Sequence, residues 1–302
     1  METEVIVAIV LLLMFIVIFS YVVFSIYDKH SESVISVGST RGHGMLLIHG
    51  CDTAHSEIVE SLIVNRAHLG FDESLPILFY LKPPKRYEDT FRPYLKKYYP
   101  QVTILDKDPG TDFQHVLHMT RYNGEKYESD PIVPGHIYIM HNYKESTDNE
   151  NFWYISPFGP KERTLIPDIL PFSKKSPSYV DRPPKTNPPT WIVQGRFVQR
   201  DWKLINKSVS DDYDIVAIGY GDLPEEASDS IVFKKELDFI QYHKVVAAAS
   251  GLISGITREF NDYYYTTTLT STASYARAYD LDVVVDDEFM ELYKIFELRQ
   301  AK

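Results

Sequence analysis

The chain has 302 residues, 31 Lys and Arg against 42 Asp and Glu, and a single cysteine. That length suits about two domains, and a net charge of −11 excludes a dedicated nucleic-acid binder with its basic stripe. One cysteine excludes an intrachain disulfide framework and a multi-cysteine zinc site, and 24% charged with 14% aromatic residues describes a globular chain.

Residues 5–24 carry no charge, and Ser20 and Tyr21 are their only clearly polar side chains. A twenty-residue helix of that kind covers a hydrocarbon core of about 30 Å. A cleaved signal peptide wants a basic start, a shorter apolar core and small residues at the cleavage site. Here the chain starts Met1-Glu2-Thr3-Glu4 and the run ends Ser20-Tyr21-Val22-Val23-Phe24-Ser25. The sequence therefore predicts a retained single-pass anchor, with its flanks, over residues 1–30. Lys29 and Arg41 follow the span and no cation precedes it, which favours a cytosolic body. The lone Cys51 agrees with a reducing compartment. The sequon Asn206-Lys207-Ser208 would matter only in a lumenal one.

Beyond a Ser-, Gly- and His-rich stretch at 31–44, apolar runs alternate with helical patterns. The predicted order is a strand at 45–48 ended by His49-Gly50, then a helix on Ile58, Val59, Leu62, Ile63 and Leu69 with Asp52 or Thr53 as N-cap. A strand at 76–81, a basic Tyr-rich helix through Tyr98, a strand at 102–105, a short helix at 113–119 and a strand at 137–140 follow. Six prolines between Pro171 and Pro189 exclude a sheet interior and read as a linker over 173–189. The alternation then restarts: strand 190–194, helix from about Arg200, strands 214–218 and 231–233, helix 239–249, strand 252–253, helix 271–279, strand 283–285. Strands alternating with helices imply parallel sheets with crossovers. The fold class is α/β, with two Rossmann-like domains over 31–172 and 190–302.

In such domains ligands gather at strand C-termini, where helix N-termini offer unbonded amides. Gln194-Gly195-Arg196, with Arg200 and Lys203 after it, reads as a phosphate site or as a turn with solvated charges. Gly219-Tyr220-Gly221 is a fragment of a glycine-rich turn and by itself carries little. Thr268-Leu269-Thr270-Ser271-Thr272-Ala273-Ser274 places hydroxyls ahead of a small-residue helix. It fits a diphosphate site or ordinary N-capping equally well.

Taken together, Trp191-Ile192-Val193-Gln194-Gly195-Arg196, Asp214 to Pro224, Asp238 to Ala249, and Leu269-Thr270-Ser271-Thr272 with Tyr275-Ala276-Arg277-Ala278-Tyr279 resemble the C-terminal half of glycosyltransferases of the GT-B fold. The resemblance covers about residues 190–293. The first half is similar only as an alternating α/β domain, with 152–158 and 166–172 looking like that family's approach to its linker. It implies a nucleotide-sugar donor on the second domain, an acceptor glycan, lipid or protein on the first, and no bound metal or other cofactor. On matching positions, Gly195 and Arg196 would face the donor phosphates, Arg200 or Lys203 would support them, and Gly219 would lie beside them. Thr270, Ser271 and Thr272 would bind the diphosphate. Many retaining members carry Glu-x7-Glu before this helix; here Glu259 is followed by Thr267, which leaves Arg258 and Glu259 as donor contacts and the stereochemistry open.

A catalytic base would come from the first domain, where His49 and His141 each follow a strand. Imidazole titrates in the useful range, although a lone histidine also fits a structural role. His115 and His118, three apart, lack a third ligand for a metal. Asp280-Leu281-Asp282 matches a metal-binding D-x-D but sits between a helix end and a strand, and reads with Asp286-Asp287-Glu288 as turn and N-cap charge. Tyr263-Tyr264-Tyr265 fits stacking on a ligand or loop packing. Three functions follow: a membrane-anchored glycosyltransferase, a nucleotide-sugar epimerase on the same fold, or a non-catalytic scaffold on a degenerate one.

Overall fold

A computed structural model describes residues 44–50, 58–80, 85–121, 132–143 and 149–301. The apolar run at 5–24 and the N-cap candidates Asp52 and Thr53 lie outside the described residues. Among the described residues no helix is long and apolar enough to cross a membrane.

The first sheet holds β1 (Leu46–His49), β2 (Ile77–Tyr80), β3 (Val102–Ile104), β4 (His115–Arg121), β5 (His136–Met140) and β6 (Phe152–Tyr154), with α1 (Val59–Val64) and α2 (Lys85–Tyr98) between early strands. All pairings are parallel, in the order β3-β2-β1-β4-β5-β6. Leu46, Leu47 and Ile48 are successive and fully buried, as both faces of a central parallel strand require. Ile58 stands at the α1 N-cap without a side-chain bond.

The helix expected at 113–119 is instead strand β4, inserted between β1 and β5. Val116, Leu117, His118 and Met119 are all buried, so both strand faces are covered and no amphipathic stripe exists. A short apolar run of this kind has no periodicity that separates a strand from a helical turn. His115 and His118 therefore point to opposite faces, and His118 meets His136 of β5, Nε2 to Nδ1 at 3.1 Å.

The second sheet holds β7 (Thr190–Arg196), β8 (Asp214–Tyr220), β9 (Val232–Lys235), β10 (Gly251–Ile253), β11 (Asp282–Val284) and β12 (Arg299–Gln300). Its helices are α3 (Trp202–Lys207), α4 (Phe239–Ala248), α5 (Arg258–Asn261), α6 (Ser271–Tyr279) and α7 (Asp287–Leu292). Asp201, Asp238 and Asp286 cap α3, α4 and α7 by accepting amide hydrogen bonds. The strands run β12-β11-β10-β7-β8-β9, again parallel. Counted within its own half, each sheet has the order 3-2-1-4-5-6. Strand order reverses between β1 and β4 and between β7 and β10, and ligands in open α/β sheets bind at the C-terminal ends beside that switch.

The Pro-rich stretch is fastened along its length. Ser61 Oγ donates to the Ile169 carbonyl and accepts from the Ile169 amide. Glu60, 2% exposed, accepts from Tyr94 Oη at 2.5 Å and Ser176 Oγ at 3.1 Å. Ser178 Oγ accepts from the amide of Phe172 at 2.7 Å, and Phe172 sits in the left-handed region at φ 66°. Arg182 donates to the carbonyls of Ala247 and Tyr279 at the ends of α4 and α6. Burial pushes the Glu60 carboxyl up to about 7 against its hydrogen bonds from Tyr94 and Ser176. The sequon residue Asn206 is engaged at both ends of its amide, donating to Glu226 O and accepting from Ser228 N.

Candidate functional site

At the C-terminal edge of the second sheet, β7 and β8 end in paired glycines, Gly195 opposite Gly219. A Cβ on Gly219 would lie 1.8 Å from the Gly195 carbonyl oxygen, so only glycine allows these strands to close here. Gly195 has φ +106°, and a Cβ there would lie 2.3 Å from Arg200 Nη2. The missing side chain is the space that the guanidinium occupies.

Arg200 is 5% exposed. Its Nε donates to the Gln194 carbonyl at 2.8 Å and its Nη1 to the Gln199 carbonyl at 3.1 Å. Among the described residues no carboxylate pairs with it. Burial pushes its pKa down, and the groups acting on it are the hydroxyls of Tyr264, Tyr242, Tyr263 and Tyr220, which are neutral at physiological pH. A guanidinium stays protonated even so. The result is a buried positive charge balanced only by backbone carbonyls, which is costly until an anion arrives.

Gln194, 1% exposed, ties this edge to two helices. Its Nε2 donates to Ser271 Oγ at 3.2 Å, and its Oε1 accepts from Tyr242 Oη at 3.3 Å. Ser271 is the first residue of α6, whose N-cap Thr270 accepts from the Thr272 amide at 3.3 Å. The helix end presents its partial positive charge beside Ser271, the half-buried hydroxyl of the three expected there. Thr270 spends its hydroxyl on capping, and Thr272 Oγ1 is buried without a hydrogen-bond partner.

The other sequence candidates divide. Arg196 and Lys203 are exposed on either side of Arg200 in sequence. Arg258, expected as a donor contact, is committed to Asp262 at 2.8 Å and to Glu288, a surface cluster that holds its charge in place. Glu259 is exposed. Asp280 ends α6 in the left-handed conformation and pairs with Lys174 and Arg299, so the D-x-D is an ion-paired turn.

At the C-terminal edge of the first sheet, beside its own switch point, His49 Nε2 lies 3.1 Å from Asp108 Oδ1. The Gly110 amide donates to the same oxygen at 2.8 Å. Burial pushes the Asp108 carboxyl up, but the Gly110 amide and His49 outweigh it and hold the group below its usual range. The His49 ring packs edge-on to His118 at 6.1 Å and tilts over Tyr80 at 5.4 Å. Asp108 was not legible as a partner: it lies 59 residues from His49, in an Asp-Pro-Gly stretch that reads as a turn.

His141, 7% exposed, follows β5 and lies by Nδ1 3.2 Å from Asn142 Oδ1. Asn142 forms an antiparallel bridge with Thr268, in the segment that leads into α6. The structure thus brings His141 within one residue of the Thr268 segment that leads into α6, and gives His49 a carboxylate. Neither relation is visible from spacing.

Gly195→Ala tests this geometry. The added methyl must displace the guanidinium and adopt an unfavourable φ, so we expect anion binding at this edge to weaken at least tenfold. Titration calorimetry with a nucleoside diphosphate reads the loss; unchanged affinity would separate Gly195 from the site.

No family model and no curated protein matches the chain. Among solved structures, the iron-containing heptosyltransferase TibC of enterotoxigenic E. coli, in complex with ADP-D-beta-D-heptose, is 13% identical with a TM-score of 0.43. The match covers 80% of this chain and 58% of that one, so the chain spans little more than half of that protein's length. A UDP-N-acetylglucosamine 2-epimerase from Listeria monocytogenes is 10% identical over 85% of this chain and 84% of its own, with a TM-score of 0.42. A T4 phage BGT mutant in complex with UDP-glucose is 12% identical over 81% of each chain, with a TM-score of 0.41. All these TM-scores fall below 0.5, and the functional reading rests on the residues of this chain.

Proposed function

We propose that the chain is a membrane-anchored glycosyltransferase that moves a sugar from a nucleoside-diphosphate sugar to a hydroxyl acceptor on a glycan, lipid or protein. The observation that carries this reading is Arg200, a buried cation without a carboxylate partner among the described residues. It lies under Gly195, and Gln194 connects this edge to the α6 N-terminus. A diphosphate supplies the missing negative charge. Residues 190–302 would form the donor domain, 31–172 the acceptor domain and 173–189 the linker, with the apolar run at 5–24 as anchor.

During transfer the bond between the anomeric carbon and the β-phosphate oxygen breaks, and negative charge grows on the departing diphosphate. Arg200 and the unbonded amide of Ser271 are fixed in place before that charge develops, which is the condition for transition-state stabilisation. The acceptor oxygen forms the new bond to the sugar and loses its proton. His49 suits that proton: Asp108 accepts from Nε2–H, which leaves Nδ1 as the basic nitrogen of the neutral ring. This carboxylate-backed imidazole favours an enzyme over a scaffold on the same fold.

The first test is binding and turnover of UDP-, GDP-, ADP- and CMP-sugars by the full chain. Binding of none of them overturns the proposal, and conversion of the donor to an epimer without acceptor would assign the site to an epimerase. His49→Ala is expected to lower kcat by about 10²- to 10⁴-fold, and Asp108→Asn by at least tenfold, with donor Kd unchanged in both. A loss of donor affinity equal to the loss of kcat would place His49 in binding.

A further inference from the structure

Asn142 stands where the two sheets meet at the donor loop. Its Oδ1 accepts from Thr268 Oγ1 at 2.6 Å and lies 3.2 Å from His141 Nδ1. Around it the Tyr143 amide donates to Thr267 O at 3.0 Å, and Ser156 Oγ donates to the same carbonyl at 3.1 Å. From the other side Tyr293 Oη shares its one hydrogen between Thr268 O at 3.0 Å and Tyr264 O at 2.8 Å. The segment between the tyrosines facing Arg200 and the capping Thr270 is therefore gripped by the end of β5.

An amide oxygen has two lone pairs and no proton, so it accepts twice and donates nothing. The contact with His141 therefore places a hydrogen on Nδ1. We infer that Asn142 is a positioning residue: it fixes the tautomer of His141 and ties that ring, through Thr268, to the loop that enters the diphosphate-binding helix. The tautomer assignment stands on the contacts alone; the response to a donor rests on the function proposed above. When a diphosphate settles at Ser271, the loop and His141 are held in one register.

Nitrogen-15 NMR of histidine-labelled full chain tests this, with His141→Gln assigning the signal. The wild type should show the Nδ1–H tautomer, and Asn142→Ala should lose it, giving a mixture dominated by the ordinary Nε2–H form. Retention of the Nδ1–H tautomer in Asn142→Ala overturns the assignment. UDP, GDP or ADP should shift the His141 signal in the wild type and in Thr268→Ser. In Thr268→Val, which keeps the shape and removes the hydroxyl, the shift should fall by at least half. An equal shift in Thr268→Val overturns the tie. If none of the three nucleotides binds the wild type, the donor reading fails, and the tautomer comparison still decides the role of Asn142.

Discussion

Arg200→Met is expected to weaken nucleoside-diphosphate binding by at least a hundredfold while leaving the melting temperature of the ligand-free chain unchanged or raised. The two halves of that result have one cause. In the ligand-free protein the guanidinium is buried, donates to the carbonyls of Gln194 and Gln199, and has no carboxylate among the described residues. Removing an unbalanced buried charge recovers a desolvation cost of several kcal/mol, which offsets the roughly 1–3 kcal/mol lost at each of the two carbonyls left unbonded. With a diphosphate bound, the same substitution deletes a desolvated charge-assisted contact. A hundredfold is about 2.7 kcal/mol, within the range of buried charge pairs measured across interfaces. Thermal unfolding with and without nucleotide separates the two. A residue that is merely structural would lose melting temperature in both conditions.

Glu60→Gln should remove a pH dependence of stability. The native carboxyl sits near 7 against an ordinary 4.5 because burial disfavours its charged form. The folded state then binds more protons than the unfolded one between those values. The contribution is fully present below pH 4.5 and is lost as pH rises to about 7. The whole shift corresponds to about 3 kcal/mol by linkage. The glutamine variant should match the wild type near pH 4.5 and exceed it by about that amount at pH 8, by urea melts. The Tyr99 hydroxyl acts on the same carboxyl, so a new amide hydrogen has an acceptor within reach. Parallel pH profiles for the two proteins would exclude Glu60 as the source of the pH dependence. Because Glu60, Ser176 and Ser178 fasten the stretch after Phe172, the loosening at high pH should appear first there.

Legibility followed locality. The strands β7, β8, β10 and β11 came from short β-branched runs, and α6 came with its cap Thr270 because capping is written in neighbouring residues. Arg200 and Ser271 were legible as site candidates for the same reason: a glycine after one strand and hydroxyls before one helix. Strand β4 was not, since a run buried on every side has no periodicity, and β12, of two residues, is too short to show one. The ion pair of Arg258 with Glu288, thirty residues on, is not visible from local sequence. Asp108 behind His49, and Asn142 between His141 and Thr268, exist only as juxtapositions of distant segments. Glu60 gave no signal at all: a glutamate inside an amphipathic helix is ordinary until its surroundings are known.

In the proposed function the switch point of the second sheet binds a diphosphate through Arg200. A crystal structure of the full chain with the nucleoside diphosphate that it binds most tightly tests this directly. Phosphate oxygens are expected within hydrogen-bond distance of the Arg200 guanidinium and of the Ser271 amide. A nucleotide seated elsewhere, with Arg200 still bonded only to the Gln194 and Gln199 carbonyls, would contradict it.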